Sequence, residues 1–156
     1  MVVGIVHAGL SPVIEIAGVR PNLMLVAVVL VTALLGFGPG TVWAFAGGLT
    51  ANLLSQDPIG SGPLSLLLVS ATVAGGDRLL GRLVWLYPIL AAFAASLLAD
   101  LVIIGIFRLM ADSLQVGVPI ELMLPAAVLN ATVVGLLLYP ARLATRRLVM
   151  DEKPAW

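Results

Sequence analysis

Asp100 is the residue with the most chemistry to explain, because it stands inside a long apolar run, residues 84–110, whose other charge is Arg108. Arg108 follows eight residues later, about 12 Å along a helix axis at 1.5 Å per residue, too far for a simple intrahelical bridge. An Asp at the centre of a membrane-spanning helix costs roughly 2.5–3.5 kcal/mol. Asp100 therefore needs a partner on another helix or water from outside. Threading the apolar runs up and down places Asn22 and Asn52 at a depth comparable to Asp100, with Glu15 and Glu121 near the same surface. A polar cluster of Asn22, Asn52 and Asp100 beneath the outer face is the candidate site. The alternative is a set of interhelical hydrogen bonds that only fixes packing. Asn130, midway along the last apolar run, reads as a helix–helix contact, and His7 reads either as a proton relay or ligand or as a packing residue.

Other chemistry is thin. The sequence holds no Ser in company with a His and a carboxylate, no paired carboxylates on one helical face, no phosphate loop and no HExxH. Residues 36–40 are Gly-rich but lie between two apolar runs and lack Lys. With no cysteine, disulfides, zinc-thiolate sites, iron–sulfur clusters and thiol nucleophiles are excluded, and a single histidine argues against a dense metal site. Zero net charge leaves no basic field for nucleic acid. The expectation is a protein that is not an enzyme and uses no cofactor, metal or nucleic acid.

The elements that would position these residues follow from composition. Of 156 residues, 61% are hydrophobic and 10% charged, with a mean hydropathy of +1.15. Soluble domains carry about 25% charged residues, so the solvent for most of this chain is read as lipid. The fold class expected is an all-α integral membrane protein, a compact bundle of six transmembrane helices with a short first one. Approximate spans are 2–17, 21–37, 39–55, 63–76, 84–110 and 120–139, in a single domain with a basic cytoplasmic tail over 140–156. Pro21 suits a first helical turn, residues 38–40 break the second span from the third, and residues 56–62 read as a loop. No Lys or Arg precedes Arg20, so no cleaved signal is read. The first stretch carries Pro12 and Glu15, so either that helix is short and distorted or the natural start lies upstream.

Lys and Arg concentrate in cytoplasmic loops. With six spans and both termini inside, Arg78, Arg82, Arg142, Arg146, Arg147 and Lys153 are cytoplasmic, leaving Arg20 and Arg108 outside. Trp43, Trp85, Tyr87 and Tyr139 then form an interfacial belt. Small residues recur every four positions in four spans: Gly40, Ala44 and Gly48; Ala71 and Gly75; Ala91, Ala95 and Ala99; Ala127, Ala131 and Gly135. Close approach through such faces is a main source of packing energy between helices in lipid.

Gly18-Val19-Arg20-Pro21-Asn22-Leu23, an apolar helix, residues 46–55 reading AGGLTANLLS, and Pro58-Ile59-Gly60 together resemble the bacterial rod shape-determining protein family MreD. That family is of similar length. It opens its second span on an Arg-Pro-Asp-Leu-like stretch and closes its third on a Gly-Leu-x-x-Asp-Leu-like one, followed by a Pro-Leu-Gly-like loop. Arg20, Pro21, Gly48, Leu49, Pro58 and Gly60 carry the likeness. Both acidic positions of the pattern are amides here, Asn22 and Asn52, which keep hydrogen-bonding and capping capacity without charge. From about Leu79 onward the likeness is one of hydropathy, length and basic tail. The resemblance implies a non-enzymatic subunit of the cell-elongation complex in the bacterial inner membrane. Such a subunit binds MreC and, through it, MreB, a RodA-type glycosyltransferase and a class B penicillin-binding transpeptidase.

The same resemblance implies a fold like the substrate-binding S-components of energy-coupling-factor vitamin transporters, which supply the alternative function. Their pocket opens outward, where Asn22, Asn52 and Asp100 would converge. Few aromatic residues are placed to grip a ring there: Phe45 and Phe93 lie too deep, leaving Phe107.

Overall fold

An uninterrupted apolar sequence after a Pro-Asn pair builds the centre of the molecule. In the computed structural model, which describes residues 21–54, 58, 60–80, 85–110 and 120–151, Asn22 caps a 13-residue helix, α1 (Leu23–Leu35). It is followed by α2 (Phe37–Leu54), α3 (Ser61–Leu80), α4 (Tyr87–Met110) and α5 (Ile120–Asp151), with no strand among the described residues. Stretches of α4 and α5, Tyr87–Leu109 and Glu121–Thr145, are long and apolar enough to cross a membrane; α1 is apolar but shorter. The expected first span at 2–17, with His7 and Glu15, lies outside the described residues, as do Arg20, Arg82 and Lys153.

The helix boundaries differ from those read off hydropathy, for reasons of backbone chemistry. The break between α1 and α2 falls at Gly36, not at residues 38–40. Gly36 adopts φ +92°, and its N–H closes α1 on the Thr32 carbonyl at 3.0 Å. Phe37 then opens α2, so Pro39 sits in a first turn, where a missing N–H removes no bond. Pro63 is likewise in the first turn of α3, which starts at Ser61 and runs past Gly76 to Leu80. The last helix does not stop at Tyr139: it passes through Pro140 and reaches Asp151, so most of the expected tail is helical.

Within the bundle α1 touches all four other helices, while around it only the consecutive pairs α2–α3, α3–α4 and α4–α5 meet. The four outer helices thus form an arc about α1, open between α2 and α5. A helix apolar on every side belongs in an interior, and Met24, Leu25, Val26, Val28, Val29 and Leu30 are all buried. Against them pack Val69 and Val73 of α3, Ala92, Ala95 and Ala99 of α4, and Ala131, Val134 and Leu138 of α5.

Small residues set the spacing of this arc. The buried face of α2 is Gly40, Ala44, Gly48 and Asn52, one residue per turn. Ala95 is fully buried and Ala131 nearly so, and Gly135 is half-buried beside Ile89, whose Cδ1 would lie 3.4 Å from an added Cβ. The exception is α3. Ala71 and Gly75 face outward, because the inward face of that helix is built from Leu66, Val69, Ser70 and Val73. Tyr87 also departs from its expected place in a surface belt. It is buried, and its hydroxyl donates to the Val73 carbonyl, tying the start of α4 to α3. Trp43, Trp85 and Tyr139 remain on the surface.

Candidate functional site

Two polar constructions occupy the end of the bundle where α1 begins and α2 ends. The first is built on Asn22. Its side-chain Oδ1 accepts the Leu25 N–H at 3.0 Å, the bond an N-cap exists to make. Its own backbone N–H donates to Asn130 Oδ1 at 2.8 Å, and Asn130 Nδ2 donates to Ser96 Oγ at 2.9 Å. Asn130 and Ser96 are each 2% exposed. One amide thus joins the start of α1 to the middles of α4 and α5, using donor and acceptor at once.

The second construction is a clasp on the α2–α3 connection. Asn52, near the end of α2, receives the Gly60 N–H on Oδ1 at 2.5 Å and donates through Nδ2 to the Pro58 carbonyl at 3.2 Å. That carbonyl also accepts the Ser61 N–H at 3.0 Å and the Ser61 hydroxyl at 2.8 Å. Gly60 holds φ +96°, a left-handed conformation that suits glycine. One turn below, Gly48 lets α2 and α3 meet backbone to backbone: an added Cβ would lie 2.6 Å from Pro63 Cα. Gly48, Asn52, Pro58 and Gly60 therefore act together, and Leu49 turns outward.

The two amides differ in what they require. Asn22 uses its side chain only as an acceptor, a duty a carboxylate performs equally well. Asn52 must also donate. Asn52→Asp is expected to lower stability by about 1–2 kcal/mol, since a carboxylate would confront the Pro58 carbonyl and forfeit that bond. Asn22→Asp is expected to change it little. Thermal unfolding of the two purified variants checks the contrast.

Asp100 joins neither construction. It is half-buried on α4, one turn beyond Ser96 and so on the same face of that helix. Among the described residues its carboxylate makes no hydrogen bond or ion pair. The three members of the expected outer cluster are thus divided: Asn22 with Asn130 and Ser96, Asn52 with the loop, and Asp100 near the first group but unbonded to it. Ser96 was not singled out from the sequence, although its spacing of four from Asp100 was there to be read. Asn130 is the helix–helix contact expected, with its partners now defined.

Elsewhere, polar groups are satisfied locally. Thr32 Oγ1 donates to Val28 O at 2.7 Å and lies 3.2 Å from Ser70 Oγ, bridging α1 and α3 beside Gly40. An open groove of about 440 Å³ between α4 and α5 is lined by residues such as Ile89, Leu90, Phe93, Val128 and Leu136. The hydroxyl beside it, on Thr132, is committed to Val128 O at 2.8 Å. Specific small-molecule sites combine apolar walls with a few converging polar groups, and this groove offers none. Among the described residues no three His, Asp or Glu side chains gather as a metal site. The chain matches no family model, no curated protein and no solved structure.

Proposed function

We propose that this chain is a non-enzymatic, MreD-like subunit of the cell-elongation complex, embedded in the bacterial inner membrane by six helices with both termini cytoplasmic. It binds the bitopic protein MreC and, through it, MreB, a RodA-type glycosyltransferase and a class B penicillin-binding transpeptidase. The observation that supports this reading most is the use made of the family-like residues. Asn22, Gly48, Asn52, Pro58 and Gly60 are all engaged in fixing one rim of the bundle. None is held in reserve over a cavity. What remains available to a partner is apolar helix surface, with Val42, Leu53, Leu109 and Leu136 each more than 60% exposed.

In this orientation the rim faces outward, and Arg142 lies toward the opposite end. Arg142 stacks on Trp85 with its guanidinium carbon 4.2 Å from the ring centroid, a cation–π pair suited to a membrane boundary. The alternative reading, a vitamin-binding S-component, draws on Asp100, a half-buried carboxylate near the Asn22–Asn130–Ser96 chain.

Depletion of the protein in its own host separates the two. A rod-complex subunit is expected to leave rod-shaped cells rounding and widening over successive divisions, with uptake of labelled vitamins unchanged. Cells that keep their shape but lose uptake of one vitamin would reject the scaffold reading.

A further inference from the structure

Asp100 and the α4–α5 groove belong to one face of the molecule. Phe93 lines the groove, and Asp100 follows it by seven residues, about 20° short of two helical turns and about 10 Å further along the same stripe of α4. Leu97, half-buried, lies between them. The opposite wall belongs to α5. Gly135 lies against Ile89 and Asn130 against Ser96, so α5 runs antiparallel to α4. Val128 and Leu124, both exposed, then carry the α5 wall up to the level of Asp100. Small side chains keep the trough low where Ala131 and Gly135 stand four apart, while Leu90, Val128 and Leu136 rise beside it as exposed rims.

We propose that this groove, of about 440 Å³, seats a membrane-spanning helix of the bitopic partner, and that the helix brings a Lys or Arg side chain to Asp100. That partner's existence rests on the subunit reading above, to which the docking face and the chemistry of the contact are added. Charge is the first reason. Ionisable residues within a membrane pair with one another, with backbone carbonyls or with water. Asp100 is half-buried, and among the described residues its carboxylate has no bonded partner. Glu121, seven residues before Val128 on the α5 wall, adds an exposed carboxylate toward the same end. A helix that is apolar along its length and basic near its outer end complements this face on both counts. Packing is the second reason, because Ala131 and Gly135 let another backbone approach between the rims. Rival occupants match less of the surface. A lipid chain fills the apolar part and leaves Asp100 unmatched. A second copy docked through the same face, about a two-fold axis along the membrane normal, sets Asp100 at the depth of its own counterpart, like charge to like.

The test uses the full chain in native membranes, extracted in mild detergent with whatever bitopic protein accompanies it. Val128→Trp, which fills the groove from an exposed position, is expected to lower recovery of that protein at least about tenfold by steric exclusion. Asp100→Asn, which keeps shape and removes charge, is expected to lower it at least about threefold. Leu68→Trp, on the outer surface of α3, should leave recovery unchanged. Replacing the basic residue of the partner helix by Asp should restore recovery with Asp100→Lys. If the unaltered chain brings down no bitopic protein, the subunit reading fails and this proposal with it. If the unaltered chain brings one down, and either Val128→Trp or Asp100→Asn recovers as much of it, this proposal alone is overturned. A photo-crosslinker at Val128 keeps the question open to measurement should a variant fold poorly. Crosslinks to a membrane-spanning segment of the partner that carries Lys or Arg support the proposal; crosslinks confined to lipid, to a second copy or to the chain itself refute it.

Discussion

Gly48→Ala is expected to lower the thermal stability of the purified protein by more than any other single methyl addition to a helical glycine of the bundle. The new Cβ would lie 2.6 Å from Pro63 Cα, 2.7 Å from Pro63 N and 2.8 Å from Gly62 C. Optimal carbon contacts lie at about 3.5–4.0 Å, so α2 and α3 would have to separate by about 1 Å. All three obstacles are backbone atoms, which have no rotamer with which to yield. The clasp made by Asn52 lies one turn away and would be pulled out of register with Pro58 and Gly60. Such overpacking costs about 3 kcal/mol. Gly62→Ala meets the same contact from the other side, 2.7 Å from Gly48 O. Gly75→Ala supplies the control, because nothing lies within 4 Å of its added Cβ. It is expected to gain about 0.5–1 kcal/mol from helix propensity alone. Unfolding midpoints of Gly48→Ala and Gly75→Ala in one detergent should therefore move in opposite directions.

Asn130→Leu carries the second large effect. The substitution keeps the branching of the side chain but removes the acceptor of the Asn22 N–H and the donor to Ser96. Asn22 caps α1, the helix that touches every other, and its N–H would lose its acceptor in a part-buried setting. Leaving a buried donor unmet costs about 1–3 kcal/mol. Ser96→Ala is expected to cost less, since it deletes one partner of Asn130 and leaves the Asn22 bond intact. Hydrogen exchange gives a local readout: amides of the first turn of α1, Leu23 to Val26, should lose protection in Asn130→Leu and keep it in Ser96→Ala.

Much of the helix plan was legible because apolar runs and their Gly, Pro and Asn punctuation report the same physics that builds the helices. Pro21-Asn22 marked the start of α1, and the four-residue spacing of Gly40, Ala44 and Gly48 marked the buried face of α2. The errors have specific causes. The Gly-Pro-Gly at 38–40 resembles a break, but proline at the third position of a helix costs nothing, and the backbone turn fell instead on the glycine free to take a positive φ. Ala71 and Gly75 had the spacing of a packing face, yet Val69 and Val73 offered a larger apolar face a few residues round the helix, and burial followed size. Tyr87 read as a belt aromatic because its sequence position is near a helix start. Only the approach of α3 brings the Val73 carbonyl to its hydroxyl.

The polar site was legible by residue and not by partnership. Asn22, Asn52 and Asp100 lie toward one end of the bundle, but depth along a helix says nothing of direction around it. Asn52 turns to its own loop and Asn22 to α5. The departures from the family-like acidic pattern also resolve separately. An acceptor suffices at Asn22, and a donor is required at Asn52.

Solubilising the full-length protein from native membranes in mild detergent, and identifying by mass spectrometry what leaves with it, tests the proposed function most directly. A rod-complex subunit is expected to carry an MreC-like bitopic protein at near-equal amounts and no bound small molecule. Recovery as a lone chain with a tightly held vitamin would contradict it.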